Sequence, residues 1–554
     1  VSGVTFEQLT AEQRQVADAT APTMLVFGGA GVGKTTTALW AARRELTAHG
    51  TSSKPLPGRR VLFVTFSRTA VAQIRSRAGN VLTGMEDAVE ILTFHGLAFR
   101  LLCAFGRYTG LPGVPVLRGE ARTKLATPSP TDYTLTYSDL LPRALTLLET
   151  PGPIASLIRS RWSLVICDEF QDTDEEEWRL LQALGRNARL LLLADPNQMI
   201  YQFKDGVSEA RLDAARARPG CVEVTLQQGS YRDPTQVLPN AAADIRWRRF
   251  TTPAVRAAVD AGRLLVYRDV PDTDAERAAV IDAEIRRLQA DGHTTIGVYA
   301  KTNSDAAGLS AALTDRGVDH VPVGFSEAYG ETLAALLTMV RYSAGVADWS
   351  EVLTGLATVL TANHRGSKPP DLAWALHAGL HLPNALVDRL TKIKLGLDEA
   401  AEPLEEAVVT ATQAWNVLGF TSGRRTWNRA SRAFTALAAR ARLHVVDPLG
   451  QLERAVAAAR DASFVELDGG DTGHIQLMNF SQTKGREADA TILSYTSNDW
   501  YGRGACEPYD EASRILYVSM TRARNIVVIL LPPQPHPLVA PFTRYSKPFP
   551  IDII

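Results

Sequence analysis

Residues 28 to 35 read Gly-Gly-Ala-Gly-Val-Gly-Lys-Thr, and Gly28, Gly33, Lys34 and Thr35 fit the phosphate-loop spacing G-x-x-x-x-G-K-S/T. Backbone N–H groups from Gly28, Gly29, Ala30, Gly31, Val32 and Gly33 can turn inward around phosphate oxygens. Lys34 then reaches the terminal phosphates, and the Thr35 hydroxyl suits a Mg²⁺ ligand, with Thr36 closing the loop. Further along, Asp168-Glu169 supply a carboxylate pair. Asp168 suits a water-mediated hold on the Mg²⁺, while Glu169, one residue on, suits the group that orients and deprotonates an attacking water. Together these residues imply phosphoryl transfer from a nucleotide.

Both sets need rigid supports, and the flanking sequence provides them. Apolar Met24-Leu-Val-Phe27 precedes the loop and helix-forming Thr36 to Arg44 follows it, the order strand, cradle, helix. Trp162-Ser-Leu-Val-Ile-Cys167 predicts a second buried strand that delivers Asp168 and Glu169 to the carboxyl edge of a sheet, where open α/β sheets place ligands. The acidic run Asp172 to Glu177 then opens a helix, where negative charge suits the dipole.

At Asp168-Glu-Phe-Gln-Asp-Thr173 the chain resembles the UvrD/Rep family of superfamily 1A DNA helicases, and further family motifs run along most of its length. Leu9-Thr-Ala-Glu-Gln-Arg14 resembles the adenine-reading element, which makes Gln13 its glutamine. Val64 to Ala70 and Thr93 to Ala98 resemble single-strand-contacting segments, which assigns Phe66 and His95 to nucleic acid. Leu193-Ala-Asp-Pro-Asn-Gln-Met-Ile-Tyr201 resembles the coupling motif: Gln198 is its γ-phosphate sensor, and Tyr201 and Phe203 lie against bases. Ser230-Tyr-Arg-Asp-Pro234 offers Tyr231 to the adenine ring and Arg232 to the γ-phosphate. Gln482 to Glu487 and Tyr517 to Arg524 resemble the last motifs, with Glu487 near the ribose and Arg522 as arginine finger. Four positions depart from the family pattern: Thr36 where an arginine is usual, Ala194 for glycine, Phe203 for tryptophan, and Asn479-Phe-Ser481 for Thr-x-His, which leaves Ser481 as the nucleic-acid contact there.

The resemblance implies an α/β fold of two RecA-like parallel-sheet domains, each with a mainly helical insertion. The expected boundaries are 1–103 and 156–222 for the first domain, 104–155 for its short insertion, 223–325 and 463–531 for the second, and 326–462 for the helical insertion. A Pro-rich segment, 532–554, is expected to lie along the surface or hold a partner. The implied activity is an ATP- and Mg²⁺-dependent single-strand DNA translocase and helicase, moving 3′ to 5′ on single strands and on junctions with duplex. The alternative is a DNA-responsive ATPase switch inside a multiprotein complex, partnered by a nuclease or defence subunit, as in compact UvrD-like proteins of antiphage systems such as Gabija. A small-molecule kinase has no use for the motifs after Asp172.

Bulk properties bound these readings without suggesting them. Composition that is 45% apolar and 21% charged over 554 residues is that of a multidomain globular protein. No run is long enough to span a membrane, and the first residues lack a basic-then-apolar signal, so the expectation is cytoplasmic. Cys103, Cys167, Cys221 and Cys506 are too scattered for a zinc site or a disulfide framework. A net charge of −1 means that any DNA path must be a local stripe. Arg246 to Phe250 and Arg424 to Arg432 mix arginine with tryptophan, and Arg425, Arg429 and Arg432 share a helical face, which suits DNA contact or a solvated surface equally.

Overall fold

The computed structural model describes residues 5–48, 54–111, 115–117, 120–125, 134–202, 204, 206–227, 229–322, 327–364, 368–444, 446–464, 474–499 and 509–550. Its first sheet runs, edge to edge, Val89–Thr93, Val61–Thr65, Leu164–Cys167, Arg189–Ala194, Thr23–Gly28 and Cys221–Leu226, with every pairing parallel. Strands covered on both faces read as continuous apolar runs, and Val61–Thr65 and Leu164–Cys167 are buried at every position. Ala38, Leu39, Ala42 and Leu46 of the helix Lys34–Leu46 pack into the same cluster as Val26, Phe63 and Ile166. Parallel pairing puts all the strand C-termini on one edge, which therefore carries the residues following Gly28, Thr65, Thr93, Cys167 and Ala194.

The second sheet runs Val321–Pro322, Ile475–Asn479, Ile296–Ala300, Ala488–Ser494, Ala523–Leu530, Leu264–Arg268 and Lys547–Pro548, again all parallel. Two expectations are corrected by this sheet. Glu223 to Leu226 does not open it, because Cys221–Leu226 pairs with Thr23–Gly28 in the first. Nor is the segment after Leu531 a surface tail: Leu538, Val539 and Phe542 are fully buried in the second sheet's core, and Lys547–Pro548 adds its edge strand. Proline forbids a long helix in this segment, but it does not stop the apolar residues between prolines from packing.

By internal contacts the two sheets form one compact unit, Val1–Val114, Ser138–Val323 and Asp468–Ile554, while Pro115–Tyr137 and Gly324–Leu467 form another. The short insertion is thus divided between them. The helix Tyr137–Glu149 buries Leu140, Leu141, Ala144, Leu145 and Leu148, whereas Leu125 of the helix Glu120–Leu125 joins the core of the helical unit. That core centres on Trp415 and Trp427, both fully buried and stacked with ring centroids 4.6 Å apart. On the helix Arg424–Ala441, Arg429 places its guanidinium over the Tyr329 ring at 4.8 Å and Arg432 is exposed, while the Arg425 side chain lies outside the described residues. In the other cluster Arg248 donates to the carbonyls of Leu538 and Pro537, anchoring the C-terminal segment. No described helix is long and apolar enough to cross a membrane.

Phe542 meets Phe250 edge-on at 5.0 Å. Phe542→Ala is expected to cost about 3–5 kcal/mol, read as a lowered urea midpoint for the two-sheet unit; a surface tail would leave that midpoint unchanged.

Candidate nucleotide site

The phosphate loop leaves Thr23–Gly28 and enters Lys34–Leu46 through Gly33 at φ +88°, with Gly31 also left-handed at φ +79°. These glycines are steric necessities. A Cβ on Gly28 would lie 2.6 Å from Val32 Cγ2, and one on Gly33 would lie 2.9 Å from Gln13 Nε2. Lys34 folds over the loop, its Nζ donating to the carbonyls of Gly28 at 2.6 Å and Gly29 at 3.0 Å. Gln13 Nε2 donates to the Val32 carbonyl at 3.3 Å, while its Oε1 accepts from Thr10 N–H at 3.0 Å in the cap of the helix Ala11–Ala17. The Tyr231 N–H donates to the Gly31 carbonyl at 2.8 Å, and its ring is 58% exposed above the loop.

Asp168 and Glu169 follow Leu164–Cys167. The Thr35 hydroxyl donates to Asp168 Oδ2 at 3.2 Å, which puts together the two oxygen groups expected to hold Mg²⁺. Burial, and then the neighbouring Glu169 charge, raise the Asp168 carboxyl, so a cation beside it would relieve both. The donor set therefore fits the metal. Glu169 occupies the left-handed region at φ +56°, uncommon for a residue with a side chain. Burial alone would raise its carboxyl, but Lys484 and Lys34 more than reverse this and hold it ionised. Gln171 Nε2 donates to Glu169 Oε2 at 2.8 Å and to Asp172 Oδ2 at 3.3 Å, while its Oε1 accepts from Asp195 N–H at 3.0 Å.

Lys484 and Arg522 arrive from the second sheet, and Arg232 from the segment between Cys221–Leu226 and the helix Val237–Arg246. Lys484 pairs with Asp172, lies 3.4 Å from Glu169 Oε2 and donates to the Gln198 carbonyl at 2.9 Å; burial pulls its ammonium down to about 8. Arg522 donates through Nη2 to Gln198 Oε1 at 2.9 Å and through Nε to the Val518 carbonyl at 2.9 Å. Burial, then the nearby Arg232, lower Arg522 to about 10, so it stays charged. Arg232 pairs with Glu487 at 2.7 Å, and Arg77 and Arg524 approach the same carboxylate at 3.1 and 3.2 Å. These arginines overcome burial and keep Glu487 well below the ordinary carboxylate range.

A cavity of about 570 Å³ is lined by Gln13, the loop from Gly29 through Thr36, Asp168, Glu169, Gln198, Tyr231, Arg232, Glu487 and Arg522. The sequence-predicted nucleotide residues thus converge, apart from Gly28, which does not line the cavity. Phe66 and Tyr201 border the same cavity and stack on each other with centroids 4.8 Å apart, with Lys204 Nζ 3.9 Å from the Phe66 centroid. The Tyr201 hydroxyl donates to the Ser481 carbonyl at 2.9 Å. His95 lies in the first turn of the helix Phe94–Phe105, outside the cavity lining, and burial pushes its pKa down. Phe203 lies outside the described residues.

Sequence reasoning missed Lys484, Gln171, Asp172, Arg77 and Tyr517. Lys484 and Tyr517 stand inside motifs already recognised, but spacing does not say which side chain turns inward.

A family model for an AAA domain matches residues 12–204. Over 598 aligned residues the chain is 24% identical to the ATP-dependent DNA helicase UvrD2 of Mycobacterium bovis, covering 93% of this chain and 77% of that protein. Against UvrD1 of Mycobacterium leprae it is 24% identical over 402 residues, 58% of this chain and 50% of that one. An 81-residue stretch is 44% identical to the RecBCD enzyme subunit RecB of Mycobacterium tuberculosis, covering 14% of this chain and only 7% of RecB.

Behind the carboxylates, Asp174 caps the helix Glu175–Leu184, accepting from Glu177 N–H at 2.9 Å while Glu177 Oε2 accepts from Asp174 N–H at 3.1 Å. Burial and then Asp174 push Glu177 from its ordinary 4.5 to about 8, against Lys204 and Arg211. The folded chain therefore holds a proton that the unfolded chain releases. This stabilisation is complete below about pH 4.5 and falls as pH rises toward 8. Glu177→Gln, which keeps the accepting oxygen, is expected to remove a slope of up to about 1.4 kcal/mol per pH unit from urea unfolding across that window; an unchanged slope contradicts a protonated Glu177.

Proposed function

We propose, from the membership of this chain in the UvrD-like superfamily 1 helicases, that it is an ATP-hydrolysing DNA helicase that couples turnover to movement along single-stranded DNA. The observation that carries the reading is the convergence of Lys34, Asp168 and Glu169 from one sheet with Lys484 and Arg522 from the other, and Arg232 from the segment that joins them, around one cavity. The 3′ to 5′ direction rests on the family resemblance.

In this reading the loop amides and Lys34 hold the substrate's phosphates, Gln13 and Tyr231 receive the adenine, and Glu487 the ribose. Thr35 and Asp168 hold Mg²⁺, which when bound neutralises phosphate charge. Glu169 orients the attacking water and takes its proton, a role suited to a carboxylate kept ionised by neighbouring cations. Arg522 and Arg232 stabilise the charge that spreads over the transferring phosphoryl group. Since Gln198 holds Arg522 and its carbonyl holds Lys484, the loop after Arg189–Ala194 senses the second sheet directly. That same loop carries Tyr201, whose ring stacks on Phe66, so the hydrolytic set and the base-stacking surface share one segment. Stacking is indifferent to base identity, as a motor requires.

A second reading, a DNA-responsive ATPase switch serving a larger complex, is favoured by one observation. Asn479, at the departure from Thr-x-His, uses its side chain on Gln482 N–H at 2.9 Å and on Asn303 Oδ1 at 2.7 Å, which leaves less for a DNA backbone.

ATPase assays with and without single-stranded DNA, followed by strand displacement on 3′- and 5′-tailed duplexes, separate the readings. Stimulated turnover with displacement from 3′ tails supports the helicase; stimulation without displacement supports the switch; turnover indifferent to DNA overturns both. Lys34→Ala is expected to weaken nucleotide binding and turnover together. Arg522→Ala should lower DNA-stimulated kcat by roughly 10³-fold or more while nucleotide affinity stays near wild type, and Gln198→Ala should act in the same direction. Equal affinity losses in all three contradict these roles.

A further inference from the structure

Resting on the nucleotide-site reading, we propose that Tyr517 is a positioning residue that reports to the second sheet whether the phosphate loop is filled. Tyr517 lies on the helix Asp510–Met520, and its hydroxyl accepts the Ala30 N–H at 3.3 Å from the middle of the loop. Ala30 and Tyr517 belong to one buried apolar cluster, and a Cβ on Gly29 would stand only 3.5 Å from the Tyr517 oxygen. The ring is therefore seated on the loop itself. At the same place the Lys34 ammonium is occupied by the Gly28 and Gly29 carbonyls. The loop's own donors are thus turned onto protein acceptors, one of them a side chain from the other sheet.

The next few residues of the chain give this contact its reach. The Val518 carbonyl accepts from Arg522 Nε at 2.9 Å, and the Thr521 carbonyl accepts from Arg232. Both candidate finger arginines are therefore fastened within a turn of the residue that touches the loop. An anion is a stronger acceptor for a backbone N–H than a neutral phenol. Phosphate entering the loop draws the Ala30 N–H away, and the buried Tyr517 hydroxyl loses its partner. The helix carrying Tyr517 then has reason to shift, and the arginines shift with it. By linkage, an interaction broken on binding must oppose binding.

The sign of one measurement separates this role from simple support of the loop. In full-length Tyr517→Phe, binding of ADP and of a non-hydrolysable ATP analogue, read by fluorescence titration, is expected to tighten by roughly 3- to 10-fold, and DNA stimulation of turnover to fall. A supporting residue would give weaker binding. Unchanged or weakened affinity in a variant with wild-type circular dichroism overturns the proposal, and so does a variant that no longer folds, because the hydroxyl then belongs to the fold. A wild-type chain that binds neither nucleotide overturns the site reading instead, and this inference with it.

Discussion

Lys484 stands in a nearly dry pocket against the carboxylates of Asp172 and Glu169, and the geometry of the nucleotide site depends on that grouping of charge. Asp172 is essentially inaccessible, and Gln171 beside it has no exposed surface. An ionised carboxylate in such a place is tolerable only with a countercharge, and removing one member of a buried pair typically costs about 3–5 kcal/mol. Lys484 supplies the countercharge from the second sheet. The ammonium thereby does two things: it keeps Glu169 in the form that can accept a proton, and it makes the first sheet's acidic edge incomplete without the second.

Other contacts extend the same logic. Gln171 ties Glu169 to the backbone of Asp195, Asp195 Oδ2 accepts from Gln198 Nε2 at 2.7 Å, and Gln198 accepts from Arg522. A continuous polar chain thus runs from the proposed base to the proposed arginine finger. Gln171, Asp195, Gln198 and Arg522 are all buried and hydrogen-bonded, so displacement of one of them cannot be absorbed by water. That stiffness is what a device needs if loss of a phosphate is to be felt at the aromatic pair Phe66 and Tyr201.

Much of this was legible from the residues. The phosphate loop could be read because glycine spacing, a preceding apolar run and a following helix all follow from one steric requirement. The Asp-Glu pair could be read because a buried strand delivers it. Lys484 could not: its partner Asp172 lies 312 residues away, and pairing over such a distance leaves no local mark. Cys221–Leu226 was misplaced because an edge strand buried at few positions lacks the continuous apolar run of a central one. The arginine face on Arg424–Ala441 had the right helical spacing, but only the fold reveals that Tyr329 covers Arg429.

The last described strand has a consequence for how the molecule meets its own copies. Lys547–Pro548 lies along Leu264–Arg268, with the Phe549 ring edge-on to Tyr267 at 4.9 Å and both strand residues exposed. A proline has no N–H to offer a newcomer, and a lysine next to it would bring charge into any added ladder. The sheet therefore stops growing at its own border, and association through open strand edges is discouraged on that side by two residues.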